Sequence, residues 1–159
     1  MEQDSYEYDE GYRSSYKYYL KGNCNLILSA PHGGNLVPDD VPDRTNQKYL
    51  QAVSSYGASA NECSRTLSLV KDSRTDEFTE NVANALNQLF NLKPYMIIAR
   101  WHRKKVDFNR DLLEATLNDP EATIAYTNYH LTLDKTIDQV NQIFGSALLI
   151  DIHGHSQGK

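Results

Sequence analysis

The sequence predicts an α/β sandwich with a largely parallel sheet. Three short apolar runs have the length of buried strands, and amphipathic helical segments separate them along the chain. Strands that are buried on both faces and joined through helices usually pair in parallel, because each helical crossover returns the chain to the same end of the sheet. Ligands of such folds bind beside the carboxyl ends of the strands.

Length and composition fit one domain with a moderate core. The 159 residues carry 21 acidic and 16 basic side chains, so the formal charge of -5 gives no general footprint for nucleic acid or an anionic membrane. No apolar run reaches the ~20 residues of a membrane span, and no secretory signal is visible. The cysteines, Cys24 and Cys63, are interpreted as reduced thiols, which predicts a cytoplasmic protein. The oligomeric state is left open.

The N-terminal end differs in composition from the rest of the chain. Residues 1–15 are rich in tyrosine and acidic residues and have no helical or strand period, so we predict a flexible leader there. Residues 16–159 form the predicted α/β domain. Its first element is the run YKYYLK at 16–21, which is typical of an edge strand ended by Gly22.

The first buried strand is NLILS at 25–29, and a loop containing Pro31, Gly33 and Gly34 ends it. The segment 35–65 is polar and irregular, with one predicted helix near 45–55. Asp72 and Ser73 then precede an amphipathic helix from Thr75 to Phe90. Its predicted core face consists of Phe78, Val82, Ala85, Leu86 and Leu89.

The second half of the domain contains two further buried strands with a long helix between them. YMIIA at 95–99 is the second buried strand, and Asp119-Pro120 begins a long helix that Gly145 ends. ALLI at 147–150 is the third buried strand, and it continues into Asp151. The predicted inner face of the long helix consists of Tyr126, His130, Leu133, Ile137, Val140 and Phe144, with His130 interpreted as a core histidine.

Two of the five histidines lie directly after predicted strands. His32 follows the first strand and His153 follows the third, so the two imidazoles converge if those strands are parallel neighbours. Two histidines and one carboxylate form a common open zinc site, with one position left for water. The alternative is that both are ordinary loop histidines that bind to backbone groups.

Two aspartates accompany these histidines. Asp72 is the candidate third ligand, although it could equally be the N-cap of the helix that follows. Asp151 precedes His153 by two positions, so both side chains point the same way on an extended chain, and Asp151 can orient a metal ligand. Its alternative role is to cap a nearby helix.

Basic and amide side chains follow the second strand. Arg100, Arg103, Asn109 and Arg110 form a cluster, and arginine binds planar carboxylates through two parallel N–H groups. Next to a zinc site, such a cluster predicts a small acidic substrate. The alternative is a solvated basic loop.

Five segments, in this order, resemble the N-formylglutamate amidohydrolase family over residues 24–157. They are SAPHGGNLVP (29–38), KDSRTDEFTENVANAL (71–86), ARWHRKKVDFNRDL (99–112), AYTNYHLTL (125–133) and LLIDIHGHS (148–156). The resemblance implies a three-layer α/β/α sandwich around a mixed, mostly parallel sheet, like that of the zinc-dependent exopeptidases. It also implies a zinc hydrolase that cleaves the amide bond of an N-acylated acidic amino acid, giving formate and glutamate from N-formyl-L-glutamate.

By the same resemblance, His32 and His153 are zinc ligands. VDFNR matches the carboxypeptidase motif VDxNR, which implies that Asn109 and Arg110 grip a substrate carboxylate. Asp151 and His155, on either side of His153 in DIHGH, are expected to support the metal ligands. The expected partner is a small N-acylated acidic amino acid.

The sequence departs from the carboxypeptidase pattern in two places. Asn35 stands where that pattern has a glutamate ligand, so the third ligand must come from elsewhere, and Asp72 is the candidate. The general base is expected beyond Lys159, in a domain that is incomplete at its C-terminus. Two alternatives follow: an inactive binding protein with the same fold, or a zinc carboxypeptidase or amidase with another substrate.

Overall fold

A five-stranded mixed sheet forms the centre of the protein in a computed structural model, which describes residues 6–55 and 66–155. The strands are β1 (Asp9–Glu10), β2 (Tyr16–Tyr19), β3 (Leu26–Ala30), β4 (Tyr95–Ala99) and β5 (Leu148–Asp151). The helices are α1 (Asn46–Ser55), α2 (Thr75–Phe90), α3 (Leu112–Thr116) and α4 (Pro120–Phe144), and Tyr12–Ser14 form a 3-10 turn.

The strand order is β1-β2-β4-β3-β5. β3 pairs in parallel with both β4 and β5, whereas β2 is antiparallel to β1 and β4. The predicted α/β class with a mixed sheet is confirmed. The carboxyl ends of β3, β4 and β5 therefore lie at the same edge of the sheet, which is where the loops bearing His32 and His153 begin.

Helices cover both faces of the sheet. Successive side chains of a strand point to opposite sides, so each buried strand has apolar residues to cover on both faces. Leu28 and Met96 pack with Ala83 of α2 on one face. Ile27 and Tyr95 pack with Val140 of α4 on the other. The result is the expected α/β/α sandwich, with β4 buried along its whole length.

The signals at both ends of α4 act as the sequence predicts. The side chain of Asp119 accepts a hydrogen bond from the Ala122 N–H, Pro120 occupies the first turn, and Gly145 ends the helix at a φ of 80°. The fully buried positions are Ala122, Ala125, Tyr129, Thr136 and Val140. Of the predicted face, Val140 is among them, and Tyr126, Leu133 and Ile137 pack partly buried against the core.

The orientation of α2 differs from the prediction. Thr75, Thr79 and Ala83 are its buried residues, whereas Phe78 is 57% and Leu89 72% exposed. Small side chains on the inner face let the helix lie close to β3, so Phe78 and Leu89 face outward, whereas Val82 of the predicted face packs partly buried against the core.

Residues 6–15 are structured, although the sequence predicts a flexible leader over 1–15. β1 pairs with β2, so β2 is not the edge strand that we expected. The Tyr6 hydroxyl donates to the Ala83 carbonyl at 3.0 Å, and its ring packs edge-on against Tyr19. These aromatic side chains bury apolar area against the domain, which a composition-based reading does not detect.

The expectation of reduced thiols concerns two cysteines. Cys24 is a half-buried thiol whose Sγ lies 3.5 Å from the Lys93 carbonyl. Cys63 lies outside the described residues. Among the helices of residues 6–55 and 66–155, none has the length and hydropathy of a membrane span.

Candidate metal centre

The loop after β3 holds His32 in a tight position between β4 and α2. A Cβ atom at Gly34 would lie 2.4 Å from the backbone carbonyl carbon of Arg100, and one at Gly33 would lie 2.7 Å from the amide nitrogen of Asp76. Both positions therefore need glycine for close backbone approach. His32, at the carboxyl edge of the sheet, is only 2% exposed.

His32, Asp72 and His153 converge in space, as the sequence predicts. One potential ligand atom from each of them lies within 4.8 Å of the other two. Oδ2 of Asp72 is 3.5 Å from Nδ1 of His32 and 3.3 Å from Nδ1 of His153, and the ring centroids are 5.1 Å apart. We call these three residues the triad.

Backbone hydrogen bonds join the three loops of the triad. The amide of Asp72 donates to the carbonyl of His32 at 2.9 Å, and the amide of Gly154 donates to Oδ2 of Asp72 at 3.0 Å. The helix-capping alternative for Asp72 is not what the structure shows. The residue before α2 is Arg74, in the left-handed region, and no side chain caps that helix.

A carboxylate holds the outer nitrogen of each triad histidine. Oδ1 of Asp107 lies 2.6 Å from Nε2 of His32, and Oδ2 of Asp151 lies 2.7 Å from Nε2 of His153. Each Nε2 therefore lies within hydrogen-bond distance of a carboxylate, while each Nδ1 faces Asp72. Asp151 thus orients His153, as its position two residues earlier predicts, rather than capping a helix.

Asp107 is fully buried behind His32 and was missed by the sequence reasoning. It accepts hydrogen bonds from Nε of Arg103 at 2.7 Å and from the amide of Asn109 at 3.0 Å. Burial raises the pKa of Asp107, but the hydrogen bonds and charges of His32 and Arg103 outweigh burial and hold this pKa well below its ordinary value. Asp107 is therefore a carboxylate. Its only sequence signal is its place in VDFNR.

The predicted substrate-binding residues lie at different distances from the triad and have different hydrogen-bond partners. Nδ2 of Asn109 lies 3.3 Å from Nε2 of His153, at the edge of the triad. Arg110 donates to the Asn109 carbonyl at 2.8 Å, and its Nε lies 3.4 Å from Glu114. Arg103 is buried against Asp107.

Three further positions named in the sequence analysis lie outside the triad. Arg100 pairs with Glu10 at 3.4 Å and is not brought to the triad. Asn35 accepts a hydrogen bond from the ammonium of Lys71. His155 is exposed and borders a cavity that Asp72 also lines.

Two open cavities lie beside the triad, and Ser73 and Gly154 line both of them. One, of about 430 Å³, has His153 in its wall together with the apolar side chains of Phe78 and Ile152. The other, of about 470 Å³, is lined by Ser68, Val70, Lys71, Asp72, Ser73, Arg103, Gly154 and His155. We call the second one the basic cavity. Either space is large enough for part of a small ligand.

The fold and the triad together define an α/β/α protein with a candidate metal site at the carboxyl edge of its sheet. Among solved structures, the chain is similar to N-formylglutamate amidohydrolase from Ralstonia eutropha JMP134. The TM-score is 0.55 and the sequence identity 16%, over 87% of this chain and 56% of that one. The chain therefore spans little more than half the length of that protein. This likeness shows the fold.

Comparisons by sequence gave no match. No family model matches the chain, and no curated protein does.

Proposed function

We propose that the protein is a zinc-dependent hydrolase that cleaves the amide bond of an N-acylated acidic amino acid. The substrate is of the N-formyl-L-glutamate type, and the products are formate and glutamate. The observation that carries the proposal is the Nδ1 atom of His32, which is buried, makes no hydrogen bond with the described residues and faces Asp72. A buried polar atom without a hydrogen-bond partner is costly, and a cation bound to this nitrogen would remove that cost.

The donor set of the triad suits zinc. Two imidazole nitrogens and one carboxylate oxygen form the ligand set of many catalytic zinc sites, and three protein ligands leave a position open. A zinc ion held by His32, Asp72 and His153 supplies Lewis-acid polarisation of the amide carbonyl and activates water at neutral pH.

The surrounding residues orient the triad and the substrate. Asp107 and Asp151 hold the two imidazoles so that both Nδ1 atoms face Asp72. The side-chain amide of Asn109, at the edge of the triad, and the half-exposed guanidinium of Arg110 bind the carboxylate next to the scissile bond. Holding that carboxylate fixes the amide beside the triad, which lowers the entropic part of the barrier.

Zinc content and formate release test the proposal together. Wild-type protein is expected to bind one zinc per chain and to release formate from N-formyl-L-glutamate, and the variant His32→Ala is expected to lose both. His130→Gln is the control, since His130 lies on α4 and bonds to the Phe108 carbonyl. Wild-type protein that takes up no zinc contradicts the proposal. Zinc uptake without formate release favours a binding protein or a different amide substrate.

A further inference from the structure

The apolar cavity, which is the space of about 430 Å³ with Phe78, Ile152 and His153 in its wall, opens directly beside the triad. Apart from His153, the charged side chains of its lining pair with each other, since Nε of Arg74 lies 2.8 Å from Oε2 of Glu77. The basic cavity, in contrast, is lined by lysine, arginine and aspartate side chains. The apolar cavity therefore suits an uncharged, apolar group of a ligand.

The apolar surface continues from this cavity along β5. Ile150 lies opposite Leu28, whose side chain packs with Ala83 of α2, so Ile150 faces the α2 side of the sheet. Side chains alternate along a strand, so Leu148 faces the same side, and Ile152 packs against the cluster that contains Leu28. Leu148 is 55% and Ile150 44% exposed. An apolar strip about 13 Å long, at ~3.3 Å per residue, thus runs from Ile152 beside the triad to Leu148.

Phe78 adds apolar area that the fold leaves in contact with water. It is 57% exposed and lies in the cavity wall together with the partly buried Ile152. Covering this area with an aliphatic chain removes apolar surface of both partners from water, and each buried methylene contributes about fourfold in affinity. A formyl group has a single carbon and no methylene, so it does not use this surface.

We propose that the apolar cavity and the strip along β5 bind an aliphatic acyl chain, so that the site prefers N-acyl groups of several carbons over formyl and acetyl. The inference rests on the proposed function, in which Asn109 and Arg110 bind the carboxylate of the amino acid. Neither of these residues lines the apolar cavity. The two sides of the substrate amide therefore have separate contacts, and N-formyl-L-glutamate is the shortest member of a series of substrates.

Glutamate release from N-octanoyl-, N-acetyl- and N-formyl-L-glutamate by the zinc-loaded protein measures the acyl preference. The octanoyl group has six methylenes more than acetyl, and burial of about half their area in an open cavity predicts a kcat/KM that is about 60-fold higher. The increase is expected mainly in KM, because the chain binds equally in the ground state and the transition state.

Two phenylalanine variants locate the chain. Phe78→Ser is expected to lower the ratio of kcat/KM for octanoyl over acetyl about tenfold. Phe90→Ser is the matched control and should keep the wild-type ratio. Phe90 is 66% exposed on the same helix, but it lies about 18 Å farther along α2, at 1.5 Å per residue, and does not line the apolar cavity.

A wild-type ratio near one overturns the inference, and so does an equal reduction in both variants. Calorimetric binding of octanoate and butyrate needs no turnover, so it decides the case in which none of the three substrates releases glutamate. Octanoate is expected to bind about 15-fold more tightly than butyrate, with this preference reduced in Phe78→Ser and kept in Phe90→Ser. That result without glutamate release contradicts the proposed function and supports the binding of an acyl chain, whereas equal binding of the two acids overturns it.

Discussion

At the scale of single residues, the two triad histidines share one arrangement in different surroundings. Each presents Nδ1 to Asp72 while a carboxylate holds Nε2. Asp107 is fully buried and also binds Arg103, whereas Asp151 is partly exposed and accepts a hydrogen bond from the Ser29 hydroxyl. Removing the carboxylate is therefore expected to lower the free energy of unfolding by different amounts at the two positions.

Asp107→Asn and Asp151→Asn separate orientation from stability. Asp151→Asn is expected to lower zinc affinity by about 10–100-fold, because His153 loses its orienting carboxylate. Its effect on stability should stay within about 1 kcal/mol, since the site is exposed. Asp107→Asn is expected to lower zinc affinity similarly and also to cost about 3–5 kcal/mol, because Arg103 keeps a buried charge without its partner.

Zinc titration and urea unfolding of the metal-free variants measure the two effects. Equal losses of stability in both variants would contradict the distinction between the buried and exposed carboxylates.

His130 predicts a dependence of stability on pH. Burial lowers the pKa of its imidazole, and the opposing hydrogen bond to the Phe108 carbonyl does not cancel this effect. The unfolded chain therefore takes up the proton first as pH falls. The contribution of His130 to stability is fully present above its ordinary pKa of about 6.5 and is lost as pH falls toward its folded pKa.

Urea unfolding between pH 5 and pH 8 checks this direction. In His130→Gln, the free energy of unfolding should fall less steeply below pH 6.5, by at most about 1.4 kcal/mol per pH unit. Parallel curves for wild type and variant across this range would show that His130 does not contribute.

At the scale of elements, the loop between β3 and Leu36 determines where His32 stands. Gly34→Ala places a methyl group against the backbone at Arg100, so the loop must shift. We expect a loss of about 1–3 kcal/mol in stability and weaker zinc binding. Gly145→Ala is the control. Its φ is positive but no atom lies within 4 Å, so it should cost about 1 kcal/mol and leave zinc binding unchanged.

Thermal unfolding and zinc titration of both glycine variants test this expectation. A Gly34→Ala protein with wild-type zinc affinity would show that the close approach at this loop does not position His32.

The sequence predicts elements better than the faces they present. The apolar period predicts α2 at its observed bounds, and the period together with Asp119, Pro120 and Gly145 predicts α4, because these signals are local. The outward position of Phe78 depends on how closely Ala83 packs on β3, which no local pattern contains. The short helix α3 has too few residues to show a period.

The same contrast between local and distant information applies to the candidate site. His32 and His153 were found because each directly follows a strand. Asp107 was missed because the partner that gives it a role, His32, is 75 positions away in the chain. Arg103 was interpreted as part of a basic cluster, and only the folded chain shows its inner side against Asp107.

At the scale of the whole molecule, the triad joins loops that are far apart in the sequence. A cation that binds only the folded chain stabilises it through the linkage between binding and folding. Zinc at 100 times its dissociation constant is expected to raise the free energy of unfolding by ~2.7 kcal/mol. EDTA should reverse the effect, and His153→Ala should not respond. Zinc-independent unfolding of the wild type would contradict a triad that holds a cation.

The pairing of β5 with β3 places Ser29 opposite Asp151. Side chains alternate along a strand, so a slip of one residue would send Asp151 to the other side of the sheet and separate it from Ser29. Zinc binding through His153 therefore requires that β5 pair with β3 in the native register. In a refolding experiment, zinc uptake is expected to begin only when β5 has paired with β3 in this register.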